Sequence, residues 1–237
     1  SPPEFGALLH DLFCEFMQKI TDLGERPDTT AHTELIQSQL ENQISAHRDR
    51  IPVLQDAAFK SDVRRLRAAA NLFLAAETTR TDVEPVGFEV SFGFGERGDL
   101  RKPDPVILSL SPDITLALRG SIDRVDRTAS GFEIWDYKTG SSRSYSDDDL
   151  LNKGLHLQWA LYAFAMENIL GERDAECRIE KSGYFFISES EHGRRIGRTP
   201  PSHGAVAHLL EPLVTLVSRG GFFRATHGDP CRFCDYA

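Results

Sequence analysis

Asp123 and Asp136 sit in two short runs, Gly120-Ser121-Ile122-Asp123-Arg124-Val125-Asp126 and Asp136-Tyr137-Lys138-Thr139-Gly140. Between them Thr128-Ala129-Ser130-Gly131 is a cluster of turn formers, flanked by β-branched and aromatic residues, which reads as a hairpin. A turn centred between Ala129 and Ser130 sets Asp123 directly opposite Asp136. Lys138 then falls two residues along on the same face, because strand side chains alternate with period two. Opposed Cβ atoms lie about 4.5–5.5 Å apart, and like charges there repel. Two carboxylates held that way call for a cation between them. Mg²⁺ or Mn²⁺ suits carboxylate and water ligation better than Zn²⁺ does. Such an ion polarises a phosphoryl oxygen and lowers the pKa of a bound water. Lys138 could then neutralise developing charge or orient that water. The pattern is equipment for metal-assisted phosphodiester hydrolysis. It equally describes a surface hairpin whose aspartates pair with Arg124 and Arg127, and spacing alone does not choose between the two.

The elements that must position these residues can be read from periodicity. Residues 5–24 predict a helix with one apolar stripe (Leu8, Leu9, Leu12, Phe13, Phe16, Met17, Ile20). Residues 30–47 and 54–79 predict two more helices. The character changes at Pro85: residues 86–92 alternate as a strand, 106–110 and 114–119 look extended, and the hairpin strands fall near 119–126 and 132–138. Ser141–Asp149 reads as a polar loop and 149–170 as a helix closed by Gly171. Tyr184–Ser188 is a short strand, Glu189–Ser202 an exposed loop carrying His192, Arg194, Arg195 and Arg198, and 203–219 a last helix. The order predicts an α+β fold with a mixed sheet. It is read as one domain over 1–237: a helical part at 1–80, a catalytic sheet at 84–190, and a helix and tail at 203–237.

Totals narrow the classes. The 237 residues allow a sizeable core, and no apolar run approaches a membrane span. A net charge of −9 argues against a free-standing nonspecific DNA binder, whose affinity would come from Lys and Arg contacts to phosphate. Delivery of a polyanionic substrate would then fall to other domains or partners. The first residue is Ser1, with no basic–apolar leader, so the chain reads as a piece of a longer protein without a signal peptide. Four unevenly spaced cysteines fit a reducing, cytoplasmic setting rather than a disulfide framework.

Together, Gly-x-Ile-Asp-Arg-Val-Asp (Gly120–Asp126), Ile-Trp-Asp-Tyr-Lys-Thr-Gly (Ile134–Gly140), Gln158 with Tyr162, and Gly6-Ala7-Leu8-Leu9-His10 resemble the motifs of PD-(D/E)xK nuclease domains of the RecB/AddB type. The resemblance runs from residue 6 to residue 162 in matching order. It implies an α-β-β-β-α-β core with strands near 86–92, 114–125, 132–138 and 183–188. It implies His10, Asp123, Asp136 and the Tyr137 carbonyl as metal ligands and Lys138 as the catalytic lysine. Gln158 and Tyr162 would stand beside them, contacting DNA or steadying the site. Glu89 matches an acidic residue that some members keep on the first strand. Asp126 and Glu133, on the other face of the hairpin, are expected to pair with arginines. The function implied is Mg²⁺-dependent cleavage of DNA strands, with Arg194 and Arg195 as candidate DNA contacts.

Two further expectations follow from the resemblance. Cys231 and Cys234 match half of the four thiolates that hold a [4Fe–4S] cluster in AddB-type nucleases, so a cluster is expected only in a longer parent protein. No Gly-x-x-x-x-Gly-Lys-Ser/Thr phosphate loop is present, so a helicase motor that feeds single-stranded ends to the site would lie elsewhere in the parent or in a partner protein. The setting implied is the nucleoid, in break repair and recombination. The alternative is a nuclease-like module that binds DNA or scaffolds a helicase without cutting.

Overall fold

The computed structural model describes residues 2–50, 56–96, 100–145, 151, 154–172 and 177–221. Three helices come first: α1 (Pro2–Asp22), α2 (Thr29–Arg50) and α3 (Asp56–Thr78). They are followed by β1 (Glu84–Phe92), β2 (Val106–Ser111), β3 (Ile114–Leu118), β4 (Gly120–Arg127) and β5 (Phe132–Lys138). The chain continues through α4 (Gln158–Gly171), β6 (Ile179–Phe186), β7 (Arg194–Arg198) and α5 (His203–Ser218). Contacts divide the chain into two compact units. One joins Ser1–Val106 to Ala117–Pro201, and the other joins Ile107–Leu116 to the chain from Ser202 onward.

The first unit is built on a five-stranded sheet of order β1-β4-β5-β6-β7. β5 and β6 are parallel and the other neighbours antiparallel, so the sheet is mixed, as expected. The stripe of α1 (Leu9, Leu12, Phe13, Phe16, Met17, Ile20) is fully buried against α2, α3 and the Trp135, Tyr137 and Phe185 side chains of the sheet. A second core joins Ala163, Met166, Ile169 and Leu170 of α4 to Val90, Ile122, Val125, Ile134 and Ile179. Each fully buried apolar side chain of this size contributes about 1.5–3 kcal/mol, so the two cores clamp the β4–β5 hairpin from both sides. In the second unit, α5 is capped by Ser202, whose Oγ accepts the Ala205 N–H at 3.3 Å. β2 and β3 form their own two-stranded ladder.

Three expectations about elements need correction. The helix predicted over 149–170 begins at Gln158. Gly154 has φ +90°, which a right-handed helix cannot accommodate, and Leu157 offers the helix start no side-chain cap. The strand expected over 114–125 is interrupted at Arg119 and divided between β3 and β4, which belong to different sheets. The exposed loop expected over 189–202 contains β7, which pairs with β6 in the register Phe185–Arg195. With arginines in three of its five positions, β7 lacks the apolar alternation that marks strands. Such charge is typical of an edge.

Candidate active site

The hairpin register is the one the turn predicts. Arg124 pairs with Trp135, Val125 with Ile134 and Asp126 with Glu133, which places Asp123 opposite Asp136. At that level the ladder gives way, and the Tyr137 N–H donates to the Asp123 carboxylate instead. On the other side of β4, the pairs Phe88–Arg124 and Val90–Ile122 place Glu89 opposite Asp123. Three adjacent strands therefore carry Glu89, Asp123 and Asp136 at one level.

Strict alternation fails at this level. Phe88 packs with the α1–α3 core while Val90 belongs to the α4 core, and Ile122 and Val125 both face the α4 core. The break coincides with Glu89, whose φ of +46° lies in the left-handed region. A non-glycine residue held there costs about 1–3 kcal/mol and is kept where surrounding structure over-determines it. The Ser121 hydroxyl donates to the Glu89 carboxylate at 2.9 Å and fixes its direction.

α1 delivers His10 onto this row. Its Nδ1 lies 3.3 Å from Asp123 Oδ1 and 3.8 Å from Glu89 Oε1, and its Nε2 lies 3.2 Å from the Tyr137 carbonyl oxygen. Both ring nitrogens thus face acceptors, which suits an imidazolium. Burial by itself lowers the His10 pKa. The hydrogen bond and charge of Asp123, with Glu89 and Asp136 behind it, more than reverse this and push it up to about 9. Burial and the Asp123 charge raise the Glu89 carboxyl. They raise Asp136 as well, with Lys138 acting in the opposite direction. These shifts mark a site with more carboxylate than fixed cation.

Lys138 forms an ion pair with Asp136 and donates to Gln158 Oε1 at 3.1 Å. Gln158 Nε2 in turn donates to the Tyr162 hydroxyl at 3.0 Å. The four-residue spacing on α4 therefore makes one chain from Asp136 to Tyr162. Gly120 leaves room for it, since a Cβ there would stand 3.0 Å from both the Phe92 and Tyr162 rings.

The donor set fits a hard divalent cation. One ligand atom each from His10, Glu89 and Asp123 lies within 4.8 Å of the others, and the Tyr137 carbonyl oxygen is 3.2 Å from His10 Nε2. Asp136 is not part of that group: it is held by Lys138 and acts on His10 through its charge. Glu89 thus supplies a third carboxylate, beyond the ligand set that the motifs imply. It is the acidic residue that the resemblance matched on the first strand, and the pairing of β1 with β4 brings it into the row. Arg194 is exposed, but Arg195 is half-buried. Arg195 forms an ion pair with Glu77, and its guanidinium lies 3.7 Å from the centre of the Phe185 ring. That side chain is occupied within the fold, a correction to its expected place on a solvent-facing loop. Asp126 and Glu133 pair with Arg124 and Arg80, as expected. Cys231 and Cys234 lie outside the described residues. Cys14 and Cys177 are in the thiol form, and burial chiefly raises Cys14 to about 11, which makes it a poor thiolate ligand.

Two relatives are each named as a subunit of an ATP-dependent helicase/deoxyribonuclease. The protein from Acetivibrio thermocellus is 29% identical over 205 residues, covering 79% of this chain and 17% of its own length. The protein from Clostridium novyi is 27% identical over 183 residues, covering 70% of this chain and 15% of its own. The chain thus spans less than a fifth of the length of either. A family profile described as the PD-(D/E)XK nuclease superfamily matches residues 1–237. With its mixed sheet, its facing aspartates and Lys138 two residues beyond the second of them, the chain belongs to the PD-(D/E)XK nuclease superfamily.

Proposed function

We propose that this chain hydrolyses phosphodiester bonds of DNA strands with the help of Mg²⁺ or Mn²⁺, and that it is the nuclease part of a larger helicase–nuclease. The observation that carries the reading is the convergence of Glu89, Asp123 and Asp136 from three adjacent strands with His10 above them and Lys138 beside them. His10, Glu89, Asp123, Asp136 and the Tyr137 carbonyl would hold the cation. When bound, it supplies Lewis acidity at a phosphoryl oxygen and lowers the pKa of water. Asp123, held by the Tyr137 N–H, keeps its carboxylate fixed. Lys138 moves between Asp136 and the charge developing on the phosphate, and the Gln158–Tyr162 pair limits where its ammonium group can go. His10, charged in the ion-free site, would have to release its proton to solvent before its imidazole could join the ligand set.

The relatives' printed names support DNA as the substrate and a helicase as the partner. Action on single-stranded ends during double-strand break repair and recombination is part of the same proposal. A cytoplasmic, nucleoid-associated setting goes with that work, and no described helix is long and apolar enough to cross a membrane. Exonuclease action and a [4Fe–4S] cluster on Cys231 and Cys234 of a longer protein belong to the same reading. Incubating the chain with a labelled single-stranded oligonucleotide, with and without Mg²⁺ or Mn²⁺, tests it. Cleavage should require the ion and fall by about 10²-fold or more in Asp123→Asn and Lys138→Ala. Undiminished cleavage in both variants would sink the assignment. Retained DNA binding without ion uptake or cleavage in the unaltered chain would favour a scaffolding module.

A further inference from the structure

The site's own electrostatics pose a problem that another surface of the same unit answers. A row of three carboxylates repels a phosphate chain, and Lys138 is held by Asp136. Yet in a chain of net charge −9, one stretch of α3 carries Lys60, Arg64, Arg65 and Arg67. We propose that the groove between α2 and α3 is a track for the sugar-phosphate backbone of a single-stranded nucleic acid on its way to the carboxylate site. The proposal rests on the strand-cleavage reading above.

The groove measures about 410 Å³ and is floored by Ile44, Phe59 and Val63. Arg48 of α2 and Lys60, Arg64 and Arg67 of α3 line it. Among the described residues a single carboxylate, Glu41, lines it too, and Arg67 engages that one at 2.7 Å. Arg48 and Arg64 are exposed, so their guanidinium groups can reach a ligand. Arg65, beside the groove, is exposed too and pairs with Asp62 at 3.6 Å. Two of the arginines lie over aromatic rings: Arg48 is 5.8 Å from the centre of the Phe59 ring and Arg65 is 4.9 Å from that of Phe5. A positively charged groove interleaved with aromatic rings is how proteins hold single strands without reading their sequence.

α3 also borders a second hollow, nearer the site. Arg65 lines this smaller hollow with Phe5, Ala69, Thr139 and Ser188, and one carboxylate, Glu189, lines it too. Thr139 follows Lys138 directly, and Phe5 precedes His10 on α1. α3 therefore presents Lys60, Arg64 and Arg67 to the α2–α3 groove and Arg65 to the hollow beside the end of the strand that carries Asp136 and Lys138. Charge complementarity selects a polyanion as occupant. The concave groove and its Phe59 ring select a flexible single strand over a flat anionic surface.

The test measures binding of the 237-residue chain to labelled oligothymidylates of about 6 and about 20 nucleotides by fluorescence anisotropy, without divalent ions and over a range of salt. The unaltered chain should bind the longer strand more tightly. In Arg48→Ala/Arg64→Ala that gain should collapse, with affinity for the longer strand down about tenfold. The slope of log affinity against log salt should become shallower by about 1.4, since each phosphate contact on a single strand contributes about 0.7. Arg48→Lys/Arg64→Lys should restore most of the loss. Unchanged affinity and slope in the alanine variant overturn the proposal, and if the unaltered chain still cleaves, the chemistry stands without it. An equal loss of binding to polyglutamate or to anionic vesicles also overturns it, by making the groove a general polyanion surface. An unaltered chain that neither binds nor cleaves strands overturns both readings.

Discussion

The β4–β5 hairpin carries two charged clusters one residue out of step. Asp123, Asp136 and Lys138 belong to the site, whereas Arg124 and Asp126 project with Trp135 toward the α1–α3 layer. There Arg124 is 2% exposed and pairs with Asp126 and with Glu77, the latter at 3.1 Å. Glu77 also receives Arg195, and Arg80 bridges Asp126 and Glu133 at 3.5 and 2.8 Å. In this inner cluster arginines match carboxylates. Burial by itself would raise Glu133, but hydrogen bonds from Arg80 and Lys181 bring it below the usual carboxylate range. Asp126 is raised by burial, with Arg124 opposing. In the site, by contrast, only His10 and Lys138 among the described residues offset three carboxylates. The two clusters show what balance does: a matched cluster fixes strands in place, and an unmatched one remains receptive to a cation.

Breaking the matched cluster should have the largest effect. Arg124→Met leaves Asp126 buried without its main counter-charge and Glu77 with Arg195 alone, and breaking a buried pair from one side costs about 3–5 kcal/mol. Denaturant unfolding should show that loss. A change under about 1 kcal/mol would mean that the cluster is looser than its burial indicates. The unmatched site should behave in the opposite way. Asp123→Asn removes one of the crowded charges while keeping an acceptor for the Tyr137 N–H, so stability should hold while cleavage falls by about 10²–10³-fold. A fall in stability matching that of Arg124→Met would erase the distinction between the clusters.

The contrast also explains what could be read from the sequence. The hairpin register followed from Thr128–Gly131, because a short turn fixes pairing over every residue of both strands. The facing aspartates, the same-face lysine, the α1 stripe and the Gln158–Tyr162 spacing are all local periodicities and were legible. Glu89 was legible only as an acidic residue matched on the first strand, and its place as a third carboxylate in the row was not. Its alignment depends on β1 pairing with β4 across an intervening β2–β3 hairpin, and on a left-handed φ at a non-glycine residue. Nor was β7, whose arginines are explained by Glu77 of α3 and Phe185 of β6. Long-range partners give those residues their roles, and no local pattern encodes them.

The pH dependence sharpens the contrast further. In the ion-free chain the His10 pKa is raised from 6.5 to about 9, so the folded form binds the proton more tightly than the unfolded one. That stabilisation is fully present below pH 6.5 and is lost as pH climbs through 9. His10→Ala should flatten this part of the profile, and Arg124→Met should leave it in place. Divalent ion uptake near neutral pH should expel close to one proton, read by calorimetry in buffers of different ionisation enthalpy. Uptake with no proton released would show that His10 is not displaced.

The smallest effect concerns the glycine of the Gly6–His10 motif. A Cβ at Gly6 would meet only Thr139 Oγ1, at 4.0 Å, which is ordinary contact. The packing of the described residues therefore does not demand glycine there, and within a helix Gly→Ala gains about 0.5–1 kcal/mol. Gly6→Ala should accordingly raise stability slightly in a thermal melt while leaving His10 in place. What it does to cleavage is informative, because Gly6 lies one residue from Phe5 and faces the threonine that follows Lys138. Cleavage unchanged with the gain in stability would mean that the motif's glycine has no part in the site. Cleavage reduced despite that gain, with ion binding intact, would mean that a bound strand approaches the α1 backbone at Gly6 too closely for a methyl group. That would place the path of the substrate between α1 and Thr139, on the side of the site where the cations of α3 lie.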